Sequence, residues 1–389
     1  MEMIYRNRLY TKTALFLTLF FVFIITSGQA KEEGGTKLSL FGEIGFEYTD
    51  NVFRLTDDQI STMDENDPDD IISGRYQEMD SLSDSIFKPR VGIKWKSDSP
   101  LGGKFRLTSW LRYHYYLEND DSSYSEYGIA LKNSIGKKGD LTFDANLTYG
   151  FRKKNYLSSA SDMNGNGNIS RDERTYSAAV YDEYEGEISY RHEVIDDKDK
   201  ILSEFYIKPF AGYKIRSHNS SFTNRDKDSA FGGLEFDFEF LNRVDLEFSY
   251  TYENVSSPGD VELVLFDETR SGTDVNGDSR LKKNAALYTD IDRSSESNTI
   301  QINPTITVSK DIKFSLGYSK RTTDYTSGNP LDIEHYNQNA YREKYEAGIS
   351  FDLSKTWFLK AEYCRTDDED PEDGTYNENS YLLVLRYSY

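Results

Sequence analysis

From Leu38 to the end of the chain, apolar residues recur at every second position in one segment after another. The first segment sets Leu38, Leu40, Ile44, Phe46 and Tyr48 on one face and Ser39, Glu43 and Glu47 on the other. Side chains alternate across a strand, so this period of two predicts a strand with one greasy and one polar face. The same rhythm recurs in Phe105-Leu107-Leu111-Tyr113-Tyr115, in Leu141-Phe143-Ala145-Leu147-Tyr149-Phe151, in Phe205-Ile207-Ala211-Tyr213-Ile215 and in Tyr381-Leu383-Leu385-Tyr387-Tyr389. The whole pattern predicts about 14 strands, most of them reaching the roughly 9–11 residues that a tilted membrane strand needs. Pro209 and Pro304 fall inside two strands, where a missing N–H predicts a bulge or a displaced boundary.

The connections alternate in length. Those after the even-numbered strands are short, as at 136–140 and 354–356, whereas those after strands 1, 5, 9, 11 and 13 are long and acidic. Short turns on one side and long loops on the other are the pattern of an outer-membrane barrel. The expected fold is therefore all-β: a transmembrane antiparallel up-and-down β-barrel with short periplasmic turns and long external loops. The loop at 256–296 is long enough to fold into such a barrel.

Composition sharpens this picture. Aromatics reach 14%, with 30 Tyr and 23 Phe. Placed at alternating positions, they suit interfacial girdles better than a soluble aliphatic core. A net charge of −21 argues against nucleic acid as a partner. One cysteine, Cys364, leaves no internal disulfide.

Residues 1–30 read as a cleaved export signal. Arg6, Arg8 and Lys12 precede the apolar run Ala14–Ile25, and the small residues Ser27, Gly28 and Ala30 follow. Cleavage after Ala30 leaves 31–389 as a single barrel domain with a net charge of about −23. The expected location is the bacterial outer membrane, with its lipid as the surrounding partner. The final strand ends on an aromatic with apolar residues at every second position back from it. It resembles the closing strand of outer-membrane barrels, which implies recognition by the barrel-assembly machinery.

If the greasy face meets lipid, the alternate residues line the interior. Arg90, Lys94, Arg106 and Arg112 then form a basic wall, together with Lys208 and Lys214. Glu235, Asp237, Glu239 and Glu247 form an acidic wall opposite it, or else these charges pair with each other and simply solvate the interior. Trp110, Tyr116, Tyr206, Phe210, Phe231 and Phe358 also point inward, either as stacking platforms or as filler.

Asp162 to Glu173 matches the EF-hand loop pattern at every specified position. Calcium needs oxygen ligands at positions 1, 3, 5, 7, 9 and 12. Here these are Asp162, Asn164, Asn166, the Asn168 carbonyl, Ser170 and Glu173, with Gly167 at the turn. Three Asn in place of Asp predict weak affinity, roughly 10⁻⁴–10⁻³ M. The alternative is an Asn/Gly-rich turn.

No enzyme is expected. The histidines His114, His192, His218 and His335 show no metal-ligand spacing, and no G-x-S-x-G elbow is present.

Tyr48-Thr49-Asp50-Asn51-Val52-Phe53-Arg54 after the first strand, then Ser83-Asp84 and Pro89 opening the second, resembles the outer-membrane β-barrel porin family associated with exopolysaccharide export. The resemblance covers about the first 60 residues after the signal. It implies a channel for a hydrophilic solute, with a polysaccharide as partner. Asp50 and Asn51 suit a turn, and Val52 and Phe53 suit packing over the rim. Two other readings stay open: a general diffusion porin, or a plugged barrel serving as a calcium-stiffened adhesion or structural protein.

Overall fold

The fold is a closed barrel of 14 antiparallel strands, seen here in a computed structural model. The structure describes residues 37–388 apart from 57–58, 61–78, 100–102, 136–137, 158–175, 198, 221, 258–260, 267–284, 330–331, 333–334 and 372–373. The first half comprises β1 (Lys37–Thr49), β2 (Asp84–Asp98), β3 (Lys104–Tyr116), β4 (Tyr124–Ile135), β5 (Gly139–Leu157), β6 (Tyr176–Asp196) and β7 (Leu202–His218). Then follow β8 (Lys227–Phe240), β9 (Val244–Ser256), β10 (Val261–Phe266), β11 (Ala285–Asp290) and β12 (Ser295–Ser309). The chain ends with β13 (Ile312–Tyr325), β14 (Asn339–Asp352), β15 (Trp357–Asp370) and β16 (Gly374–Ser388).

Each barrel strand pairs with its neighbours in the chain, and β1 closes the ring on β16 from Phe41 opposite Ser388 to Thr49 opposite Ser380. Closure leaves the barrel wall without an exposed sheet edge. The period of two yields the 14 wall strands. It does not yield β10 and β11, which form a separate two-stranded sheet between β9 and β12.

The exterior carries the apolar set. Phe46, Tyr149, Ile188, Leu316 and Leu383 stand on the outside at 48–59% exposure. A barrel with such an exterior belongs in a bilayer, and this one is a multi-pass barrel of the outer-membrane type. Aromatics gather at both ends. Near the short turns, Trp95 meets Phe105 at 5.6 Å and Trp357 meets Tyr387 at 5.0 Å. Near the long connections, Tyr363 meets Tyr381 at 5.2 Å and Tyr318 meets Tyr345 at 5.3 Å. Rings with polar rims suit the two interfaces.

Three sequence expectations are corrected. The prolines mark neither bulges nor strand ends. Pro209 omits its bridge to β6 and Pro304 its bridge to β13, and register is unchanged across both. A bulge does occur in β5 at Gly150 (φ 72°), where register shifts between Thr148 and Phe151. The extra residue reverses the parity, so Phe151 turns from the expected lipid face to pack on Tyr124 and Tyr181 inside the barrel. Finally, the acidic connection after the thirteenth predicted strand is shorter than expected. β15 continues to Asp370 and β16 begins at Gly374, so Asp367, Asp368, Glu369 and Asp370 extend β15 itself. The export signal, the Asp162–Glu173 loop and Tyr389 lie outside the described residues.

Candidate functional site

The interior is built from rows of residues on neighbouring strands. Glu43, Arg90, Arg112 and Glu126 stand opposite one another across β1 to β4. Arg112 lies 3.4 Å from both Glu43 and Glu126, and Arg90 lies 4.0 Å from Glu43. Lys88 pairs with Glu47. The basic wall expected at Arg90 and Arg112 is thus neutralised by acids of its own neighbours.

The acidic wall is broken up in the same way. Glu235 takes Lys208 at 3.0 Å, Asp237 takes Arg191 at 3.0 Å, and Glu247 accepts from Asn303 at 2.9 Å. Lys214 lies 3.2 Å from Glu185, and Arg321 lies 3.0 Å from Glu253. Glu239 shares the inward parity of Glu235 and Asp237 on β8. Glu235, Asp237 and Glu247 bring carboxylate oxygens within 4.8 Å of one another. The cations of β6 and β7 hold that cluster together. Of the two arrangements left open by the sequence, opposed walls or mutual pairing, these contacts are local pairs, because sequence parity identifies a face but not a cross-strand neighbour.

The inward aromatics also differ from expectation. The faces of several are taken up by cations. Arg90 sits 4.3 Å above Trp110, Arg191 3.7 Å above Tyr206 and Arg386 4.4 Å above Phe358, while Lys94 lies 4.9 Å from Phe41. Some of the inward rings also lie close against the wall, over glycines. Phe41 covers Gly92, Trp110 covers Gly128 and Phe231 covers Gly212, each so closely that a Cβ there would collide with the ring. Such apposition keeps large rings out of the centre of the lumen.

His114 is buried beneath Tyr124, with ring centroids 4.2 Å apart, and its Nε2 is 3.1 Å from Glu126. It is part of the wall.

The outer mouth is narrowed by the segment after β1. Asp50 accepts hydrogen bonds from the Asn379 backbone N–H at 2.7 Å and from its side-chain amide at 2.8 Å, fastening this end to β16. Asn51 closes a tight turn: its Oδ1 accepts the Leu55 N–H and its Nδ2 donates to the Leu55 carbonyl, both at 2.8 Å. Phe53 and Leu55 are buried with Met79. Between them Arg54 adopts a left-handed backbone (φ 56°) and directs its guanidinium to Glu378 on the interior of β16, at 3.4 Å. Val52, Phe53 and Arg54 line a cavity of about 210 Å³ with Lys88, Tyr124 and Phe151. The packing expected of Val52 and Phe53 over the rim therefore extends inward. A second cavity of about 210 Å³ lies across the mouth, among Lys214, Arg216, Arg321, Arg342 and Asp368. Alternation alone gives no signal for Arg54, which lies beyond the last strand residue.

No protein-family model matches the chain, and no curated protein sequence matches it. Solved barrels resemble it weakly. The outer-membrane channel DcaP of Acinetobacter baumannii is 11% identical, with 92% of this chain and 99% of that one covered, at a TM-score of 0.45. OmpT, an outer-membrane protein of Vibrio cholerae, is 10% identical, with 93% and 100% covered, at 0.42. The KdgM porin, solved in complex with disordered oligogalacturonate, is 12% identical, with 69% and 94% covered, at 0.32. These likenesses concern the barrel and assign no activity.

Proposed function

We propose that this protein is an outer-membrane channel for a hydrophilic solute, working in exopolysaccharide export. The observation that carries the reading is the ionic lining. Charged residues continue from Lys96 and Arg106 near the short turns to Arg216 and Arg342 near the outer mouth, with some rings held close against the wall. A barrel serving only as an anchor has no need for such a lining, whereas a water-filled path needs it throughout. The first 30 residues direct export, and the final strand engages the assembly machinery. In this reading Asp162–Glu173 binds calcium and stiffens the outer surface.

Single-channel recording of the refolded barrel in a planar bilayer tests the channel. Steady steps are expected. Silence with calcium and with chelator refutes it, and moves the function to surface binding, which the inward-folded Asn51–Leu55 turn favours as a second reading. Calorimetric titration tests the loop: heat lost in Glu173→Ala supports calcium, and no heat in the unaltered protein refutes it.

A further inference from the structure

One stretch of the interior breaks the rule of local pairing. At the level of the short turns, Lys96, Arg106 and Lys132 stand directly opposite one another across β2, β3 and β4. Like charges facing across a ladder repel. Lys132 is relieved by Asp140 at 2.7 Å. Among the described residues, Lys96 and Arg106 have no carboxylate partner, nor do Lys94 and Arg386, which lie close by. This happens in a chain with 67 acidic and only 46 basic residues, so there is no shortage of acids to pair them. Lys94 and Arg386 are instead held by uncharged rings, at 4.9 Å over Phe41 and 4.4 Å over Phe358. An aromatic face fixes a cation in place without neutralising it.

From this belt we infer a binding station for the carboxylates of an acidic saccharide chain on the periplasmic side of the lumen. The inference rests on the channel reading and names its substrate class. Geometry separates this ligand from a compact phosphate. The cations do not converge on one point. They are spread along a row of adjacent strands, each about 4.8 Å from the next. That spacing suits an extended polyanion with charge at short intervals. The row above places Ser39 and Thr108 on either side of Lys94; the Ser39 hydroxyl donates to the Lys94 carbonyl at 3.4 Å, and the Thr108 hydroxyl is the one offered to a sugar oxygen between the acids. Charge-assisted bonds of this kind are strong enough to concentrate an anion, and so many weakly held contacts still let it advance.

The test uses the full-length folded protein in detergent, so that binding is measured without conduction. Of three tryptophans, Trp95 and Trp357 are on the lipid face and Trp110 is inside. With Trp95→Phe and Trp357→Phe, Trp110 alone reports binding, and calorimetry on the unaltered chain checks the result. Trigalacturonate is expected to bind saturably, at least ten-fold more weakly in Lys96→Gln/Arg106→Gln, while neutral maltotriose gives no response. The double variant relieves repulsion, so its melting temperature should equal or exceed that of the parent, which excludes misfolding as the cause. Absence of saturable trigalacturonate binding overturns the station, as does an equal response to maltotriose or undiminished affinity in the double variant. Binding of inorganic triphosphate in place of trigalacturonate overturns the saccharide assignment. A barrel that binds but does not conduct loses the channel and keeps the station. One that conducts without binding loses only the station.

Discussion

Gly128→Ala should displace Trp110 although it adds a single methyl group. Gly128 is buried on the inner face of β4, directly opposite Trp110. A Cβ there would lie under 3.0 Å from Cε2, Nε1 and Cζ2 of the indole. Carbon atoms settle at about 3.5–4.0 Å, so the ring must move by on the order of 1 Å or swing into the lumen. Moving it breaks the stacking of Arg90 at 4.3 Å and of Arg112 at 5.5 Å. Each contact contributes about 0.5–1 kcal/mol at a partly wet site. An off-rotamer indole adds about 0.5–1.5 kcal/mol. The expected destabilisation is about 2 kcal/mol, measured by urea unfolding of the lipid-reconstituted barrel followed by circular dichroism. Trp110→Ala removes the obstacle and the stacking together. In the double variant the added methyl group then meets open space, and the two costs should fall short of additive by about 1–2 kcal/mol. Single-channel conductance should fall in Gly128→Ala and rise again in the double variant. Additivity within about 0.5 kcal/mol, with unchanged conductance, would refute the claim that glycine is there to seat the ring.

Asp84 is almost fully buried and accepts from the backbone N–H groups of Leu117, Glu118 and Asn119 and from the Asn119 amide, at 2.8–3.1 Å. Asp84→Ala should cost about 3 kcal/mol through stranded donors, read as earlier loss of heat-resistant migration and new protease cleavage at 117–123. Asp332 and His335 are wholly buried in the connection after β13, 2.8 Å apart. Burial alone raises the Asp332 carboxyl, but the hydrogen bond and charge of His335 and the Asp292 N–H outweigh it and hold the group below its ordinary 3.8. A depressed carboxylate stabilises the fold above the unfolded value and loses that contribution as pH falls through the folded one. Limited proteolysis should find this connection protected at pH 6 and opened only below about 3.8, with Asp332→Asn open at both. Arg54→Ala removes a cation from the narrowed mouth and leaves Glu378 without it. Conductance should rise and reversal potentials should shift toward cations; an unchanged potential places the constriction elsewhere.

The sequence by itself determined the wall. Side-chain alternation is a local property with a fixed period, so Leu38 to Tyr48 or Phe105 to Tyr115 announces its two faces whatever lies beside it. The alternation of short and long connections then orients the barrel, and inward parity separates the charged face from the greasy one. What parity leaves open is which residue stands next to which. Glu43 meets Arg90 and Arg112, and Trp110 meets Gly128, because of cross-strand registers between successive strands, which no single strand's alternation encodes. Those registers decided between two walls of opposite charge and local ion pairs in favour of the pairs, and left Lys96 facing Arg106. A single inserted residue at Gly150 reversed the parity of Phe151, because a strand's faces persist only while its hydrogen-bond count does. Arg54 reaches Glu378 only because the barrel closes β1 onto β16, a contact that spans nearly the whole chain and that no local pattern encodes.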